Sequence, residues 1–407
     1  MKFIARQPIL NRRRDVFAYE LLFRSGIQNS FDGADLEQAS ASMFDTSFMI
    51  GLQKLTGGQR AFVNCPRDFL LHDYISLFPR DLVVIELLET IKPDAEVVDA
   101  CRKLKQQGYL LALDDFVDTP DWTPLINIAD FIKVDFRLTS RLEQRALAAR
   151  YAEKGIRMLA EKVETQEEFS EAMDMGYSLF QGYFFCRPEM LQQRAIPADK
   201  LAYLELLGAA MAPDFDIQGL ASKIKHEPSL TFKLLRYLNS AAFGLRCEID
   251  SIPHALSMLG ERELRKWIAV VCVGVMAGGK PDELMTVPLV RGRFCELLAP
   301  LAGMPGHAND LFLLGLLSVM DAILDQPLAT ILEELPIRHE IKDALIARTG
   351  LYWNLLEITT AHERADWEAI SALARRLGIR EGQIPEIYVS AVDWASALRH
   401  GASLSVP

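Results

Sequence analysis

The chain has few features of a secreted, membrane-spanning or nucleic-acid-binding protein. It has no Cys-x-x-Cys pair: its six cysteines, Cys65, Cys101, Cys186, Cys247, Cys272 and Cys295, lie scattered through 407 residues. That spacing supplies neither a structural zinc site nor a disulfide framework, and it suits a reducing, cytoplasmic compartment. No apolar run is long enough to cross a bilayer, the longest being Trp267–Ala277. The segment Met1–Pro8 leads straight into a strand-like stretch without the apolar core of a signal peptide. Positive charge is scarce, 44 Lys and Arg standing against 55 Asp and Glu for a formal charge of -11. A DNA or RNA polymer is therefore not expected as a partner, because phosphate contacts need clustered basic residues. The one basic cluster, Arg12–Arg14, falls where a turn should follow the first strand. Low-complexity tracts and long linkers are absent too, and the length predicts two domains.

What the chain does have is a series of short apolar runs that stop on polar or charged side chains. Ala61–Val63 stops at Asn64 and Leu82–Ile85 at Glu86. Leu110–Leu113 stops at Asp114–Asp115, Phe131–Ile132 at Lys133 with Asp135 behind it, Met158–Ala160 at Glu161, and Leu179–Phe180 at Gln181. Buried parallel strands read as such runs, and a β/α barrel builds its site at one face from residues at the strand ends. Several carboxylates converging there would repel one another unless a divalent cation neutralised them, so the pattern predicts a metal-dependent site. Helices are predicted over 36–55, 95–107, 142–154 and 165–175, with Gly108, Gly155 and Gly176 as stops. Thr165 and Glu168 have capping-box spacing. From about 195 the character changes to helical periodicity alone, over 199–211, 217–225, 229–239, 252–259, 261–276 and 310–324, and no further strand is predicted.

These residues carry a family resemblance. Tyr19-Glu20-Leu21-Leu22-Phe23-Arg24 resembles the signature of EAL domains, the bacterial phosphodiesterases of cyclic di-GMP, with Leu21 at the signature's alanine. The likeness continues through Gln7-Pro8-Ile9-Leu10, Asn64, Ile85–Glu89, Leu113–Phe116, Ile132–Asp135, Ala160–Thr165 and Gln181-Gly182-Tyr183, in the family's order. It implies two divalent cations, Mg²⁺ or Mn²⁺, held by Glu20, Asn64, Glu86, Asp114 and Asp115. It further implies Glu161 as general base and Lys133 orienting water and offsetting phosphate charge. Arg24 would contact a substrate phosphate, Gln181 would fix substrate or the metal ligands, and Glu89 would brace the loop after Asp115. Asp135 and Glu164 are open between serving as metal ligands and serving as supporting or helix-capping carboxylates. Active members continue the double aspartate into a Gly-Thr-Gly-Tyr-Ser-Ser-like loop that couples the metal site to dimerisation. Here Phe116–Trp122 lacks those glycines and contains Pro120, and Lys162 and Cys186-Arg187-Pro188 stand where the family has a glycine and a Ser-Lys-Pro-like ending.

Residues 227–260, including Phe232–Ala241, Ser251–Leu256 and Leu259-Gly260, look like the HDOD domain, a helical relative of the HD phosphohydrolases. The second half has no His-Asp dipeptide, and Ser318-Val319 stands where one would be expected. His226, His254, His307, His339, His362 and His400 are expected at the surface or in helix packing, and Arg236 and Asn239 in a structural role. Gly278–Glu283 resembles a cyclase signature, an accident given its Pro281 and the lack of a surrounding sheet. The expectation is an α/β chain with an EAL-type (β/α)8-like barrel over 1–195 and an all-α HDOD domain over 196–407. The resemblance implies a cytoplasmic protein that binds and hydrolyses cyclic di-GMP, with a protein partner for the HDOD half, no membrane contact and a barrel-to-barrel homodimer. A non-catalytic receptor or scaffold is the alternative.

Overall fold

The computed structural model describes residues 2–25, 52–72, 74–188, 197–212 and 252–402. The helices expected at 217–225 and 229–239, with Arg236, Asn239 and His226, lie outside those residues, as does most of the helix expected at 36–55. The chain divides into two compact units, Met1–Phe185 and Cys186–Pro407.

The first unit is a closed barrel of eight strands in sequence order. They are β1 (Lys2–Asn11), β2 (Val16–Ser25), β3 (Arg60–Cys65), β4 (Val83–Leu87), β5 (Leu110–Leu113), β6 (Phe131–Asp135), β7 (Arg157–Glu161) and β8 (Leu179–Gln181). From β2 to β8 neighbours run parallel. β1 is the exception, antiparallel to both β2 and β8, with the turn expected at Arg12–Arg14 joining it to β2. The cause is local. Asn11 N donates to Asp15 O and Arg14 N to Asn11 O, with Arg14 in left-handed backbone, so Arg12–Arg14 forms a tight reversal instead of a crossover.

The barrel interior is layered by the two-residue period of strands. Ile9, Ala18, Phe62, Val84, Ala112, Phe131, Leu159 and Leu179, one from each strand, form a buried apolar ring. Phe62 and Phe131 meet edge to face at 5.3 Å. Outside, the helices Arg141–Ala152 and Gln166–Met175 both begin with capping boxes, Ser140 with Glu143 and Thr165 with Glu168. Each satisfies two otherwise orphaned N–H groups. Gly182, after β8, has φ +145°, and a Cβ there would meet Val163 O at 1.9 Å, so only glycine fits this close approach.

The second unit has no strand among the described residues. Its helices include Ala198–Met211, Ile252–Met276, Glu283–Leu301, Gly350–Glu363 and Ile384–Ala402. Gly260 is non-helical inside Ile252–Met276, which separates two helices as the sequence suggests. The helix expected over 310–324 is instead two, Ala308–Leu317 and Met320–Leu324, interrupted at Ser318-Val319. No helix among the described residues is long and apolar enough to cross a membrane.

His362 lies fully buried in this unit, ringed by Phe294, Trp367 and Tyr388 at 5.5, 5.5 and 4.0 Å. Neither ring nitrogen has a hydrogen-bond partner among the described residues. Burial lowers its pKa from 6.5 to about 3. Between those values the unfolded chain binds a proton that the folded chain excludes, so His362 withdraws stability as pH falls from 6.5 toward 3. The slope is about 1.4 kcal/mol per pH unit. Urea unfolding of the full chain between pH 7 and 5 should therefore be steeper in pH for the wild type than for His362→Phe. Equal slopes would refute this account.

Candidate functional site

Two residues beyond the apolar ring, each strand carries a polar side chain. Ala18 leads to Glu20, Phe62 to Asn64, Val84 to Glu86, Ala112 to Asp114, Phe131 to Lys133, Leu159 to Glu161 and Leu179 to Gln181. On antiparallel β1 the same level is reached backwards, from Ile9 to Gln7. The strand register accordingly pairs Gln7 with Glu20 and Asn64 with Glu86. A polar ring thus rests on the apolar one.

At its centre is the Lys133 ammonium, whose side chain is 1% exposed. Nζ lies 2.7 Å from Glu86 Oε1, 2.8 Å from Asp114 Oδ1, 2.9 Å from Glu161 Oε1 and 3.3 Å from Glu20 Oε1. Gln181 Nε2 donates to Glu20 Oε2 at 2.5 Å and to Gln7 Oε1 at 2.8 Å. One ammonium cannot balance four carboxylates, of which Glu20, Glu86 and Glu161 are buried and Asp114 nearly so. Burial drives Glu86 well above the carboxylate range, with Lys133 opposing and Glu20 and Asp114 adding to it. Glu161 is pushed up to about 8 by burial, against Lys133 and with Asp114 and Glu20. Burial pulls Lys133 down, but Glu161, Glu20, Glu86 and Asp114 together raise it well above its ordinary value.

The donor chemistry suits a hard divalent cation. Asn64 Oδ1, Gln181 Oε1 and both Glu86 oxygens are buried without an aligned hydrogen-bond donor among the described residues, Glu86 Oε1 having the ion-pair contact to Lys133. Orphaned buried oxygens are rare and mark a missing partner, and carboxylate and amide oxygens are what Mg²⁺ and Mn²⁺ prefer. With the ammonium at their centre, no three His, Cys, Asp or Glu side chains among the described residues are already spaced to hold an ion. A cation would have to share these oxygens with Lys133.

The other expected site residues lie elsewhere. Asp115 has φ +39°, which turns it off the ring into a neighbouring cavity of about 420 Å³ that Asp135 also lines. Its pKa is raised by burial, then by Asp114, Asp135 and Glu89, while Lys162 opposes. Glu89 is exposed, and its recorded influence is to repel Asp115. Arg24 lies in β2, but its side chain is outside the described residues. Asp135 caps a turn, accepting from Arg137 N at 2.6 Å and Leu138 N at 3.2 Å. Glu164 pairs at 3.2 Å with Arg137. The glycine-poor loop after Asp115 has its own anchors. Phe116 packs edge-on against Tyr151, and Asp118 binds Arg150 and accepts from Tyr151 Oη at 2.6 Å. The sequence reading passed over Gln7, although its place two residues from Ile9 on a reversed strand was the available signal.

In the helical unit, Ser318 accepts from Arg291 Nη1 at 3.0 Å. Arg291 also makes a bidentate pair with Glu363 at 2.8 and 2.7 Å. An arginine thus serves the place where a hydrolase of this shape would carry His-Asp. Lys280 of the cyclase-like stretch pairs with Asp325.

Because Lys133 is the only ammonium among those four carboxylates, its loss should leave buried charge uncompensated, at a cost of about 3–5 kcal/mol. Lys133→Met should lower the urea midpoint in EDTA, and MnCl₂ should restore part of it by binding the native state. A midpoint indifferent to both changes would sink this reading of the ring.

The family models agree with this geometry. One described as the EAL domain matches residues 37–188, beginning after Glu20, and one described as the HDOD domain matches 196–333. The chain is 34% identical over 405 residues to the uncharacterized protein YuxH of Bacillus subtilis, covering 97% of this chain and 98% of that one. It is 33% identical over 398 residues to the cyclic di-GMP phosphodiesterase CdgJ of Vibrio cholerae, covering 97% and 92%. Among solved structures, the calcium and cyclic di-GMP complex of Klebsiella pneumoniae BlrP1 aligns at 25% identity over 46% of this chain and 55% of that chain, with a TM-score of 0.39. With two full-length relatives above 30% identity and both domain models matched in order, the chain belongs to the family of proteins that join an EAL domain to an HDOD domain.

Proposed function

We propose that the protein binds cyclic di-GMP at the barrel mouth and hydrolyses it to the linear dinucleotide, with the EAL part over 1–195 and the HDOD part over 196–407. One observation carries the reading: a buried polar ring in which carboxylates outnumber ammonium and several oxygens have no donor, at the end of the barrel where the strands finish. The phosphodiesterase relative CdgJ supports the choice of substrate.

Glu20, Asn64, Glu86 and Asp114 would hold a divalent cation, Mg²⁺ or Mn²⁺, which would supply Lewis-acid polarisation of the phosphodiester. Glu161 accepts the proton of the attacking water at its carboxylate as the new P–O bond forms and the ring's P–O bond to the leaving ribose oxygen breaks. Lys133 holds Asp114 and Glu161 in register and offsets phosphate charge. Gln181 fixes Glu20 through its amide, and Gln7 fixes Gln181. Arg24, beyond them on β2, suits a bidentate phosphate contact.

The Ser318–Arg291–Glu363 arrangement supports a regulatory or partner-binding role for the helical half, since it offers a structural ion pair where a hydrolase needs metal ligands. A cytoplasmic location belongs to the same proposal; the free cysteines, Cys65, Cys101, Cys186, Cys272 and Cys295 among the described residues, support it. So does barrel-to-barrel pairing as the oligomeric state.

Purified full-length protein with Mn²⁺ or Mg²⁺ should convert cyclic di-GMP to the linear dinucleotide. Glu161→Gln should lower kcat by roughly 10²-fold or more while retaining binding. Binding without turnover in the wild type would make the barrel a receptor, and neither would make it an inherited scaffold.

A further inference from the structure

Beside the ring stands a second group of carboxylates with a lysine of its own. Asp115 and Asp135 line one cavity of about 420 Å³ together with Asp118 and Glu143. Asp118 is taken by Arg150 and Tyr151, and Glu143 by the helix cap at Ser140. The 3% exposed Asp135 gives Oδ1 to two backbone N–H groups and Oδ2 to the ammonium of Lys162. Asp115 makes no hydrogen bond or ion pair among the described residues, and the Lys162 charge lowers its pKa against burial and the neighbouring carboxylates.

Lys162 is an unusual choice for its position. It follows Glu161 directly at the end of β7 with φ +56°, a left-handed backbone that favours glycine. The next residue is fixed to β8 by Val163 N donating to Gln181 O at 3.0 Å, so the turn imposes this backbone whatever side chain sits there. Asp115, at the end of β5, shares the same unusual conformation at φ +39°. Two strained non-glycine residues of opposite charge thus flank Asp135, Asp115 sharing its cavity and Lys162 its ion pair, and strain retained at such a place points to a role for the side chains that bear it.

We propose that the Lys162 ammonium is the resident cation of the Asp115–Asp135 group, so that the barrel takes up a single divalent ion, at the Lys133 ring. The family resemblance implies a second ion with Asp115 among its ligands; in this chain a tethered charge stands in its place. Two carboxylate groups are each served by a lysine, but the ring keeps buried orphaned oxygens on three side chains, Asn64, Glu86 and Gln181, whereas in the second group Asp135 is fully engaged and Asp115 alone is left to meet an ion. The inference rests on the reading of that ring as a divalent-cation site.

The test counts ions rather than turnover. Mn²⁺ titrated into the full-length protein and followed by the loss of its free-ion EPR signal should saturate at one ion per chain. Lys162→Gly, which suits the left-handed backbone and should fold, is expected to saturate at two, and Lys162→Gly with Asp115→Asn at one again. Asp115→Asn alone should leave the wild-type count at one, a check that does not depend on the glycine variant. Two ions on the wild type, or one on Lys162→Gly, would overturn the proposal while leaving the ring as a metal site. No ion on either protein would remove the ring reading and this inference with it.

Discussion

The structure of the barrel mouth depends on an imbalance: one buried ammonium among four carboxylates, three of them buried. At contact distance each Lys133 pair is attractive, about 4 kcal/mol at 4 Å and an effective dielectric near 20. Each carboxylate, however, also meets three others of like charge. The arrangement is tolerable because part of the charge is given up: burial holds Glu86 and Glu161 toward their protonated forms. A cation entering would reverse that and bring the carboxylates to full charge. The ring is therefore neither a settled salt bridge nor an empty cage, but a set of donors whose charge state waits on a ligand.

What holds these donors at one level is the strand period acting on a closed barrel. The apolar ring below fixes the height of every side chain above it, and Phe62 against Phe131 makes that floor rigid. A substitution in the floor that tilted β6 would move Lys133 relative to all four carboxylates at once. Sequence conveyed this well, because a run ending on Asn64, Glu86, Asp114 or Glu161 states both the strand and the residue at its mouth. Gln7 escaped the same rule because β1 is reversed, and the offset of two must then be counted backwards. Nothing in periodicity reports a hairpin until the tight Asn11–Asp15 turn is read as one.

Backbone sign was the other hidden variable. Asp114 and Asp115 look equivalent in sequence, yet φ +39° at the second sends its side chain to a different cavity. The loop that follows is equally opaque. Its missing glycines announce a different path, but not that Phe116 and Asp118 would find anchors on the helix Arg141–Ala152. The single helix expected over 310–324 failed for a related reason. Apolar spacing runs on through Ser318-Val319, while the hydroxyl of Ser318 donates to Gly315 O and accepts from Arg291, and the helix breaks there.

The helical unit shows what buried charge looks like when structure alone is at stake. Lys266 meets both oxygens of Glu296 at 2.7 Å, and Arg291 meets both oxygens of Glu363 in the same way. Each of these cations meets both oxygens of a carboxylate, and Glu296 accepts from Arg293 at 2.7 Å as well, so acidic charge there is matched by cations in the geometry that best offsets desolvation. The barrel mouth departs from that balance, with four carboxylates to an ammonium and acceptors left without donors among the described residues. Perturbed, unbalanced groups gather where chemistry is done. By that criterion the active face of the protein belongs to the barrel, and the helical domain's buried charges serve to hold its own helices in place.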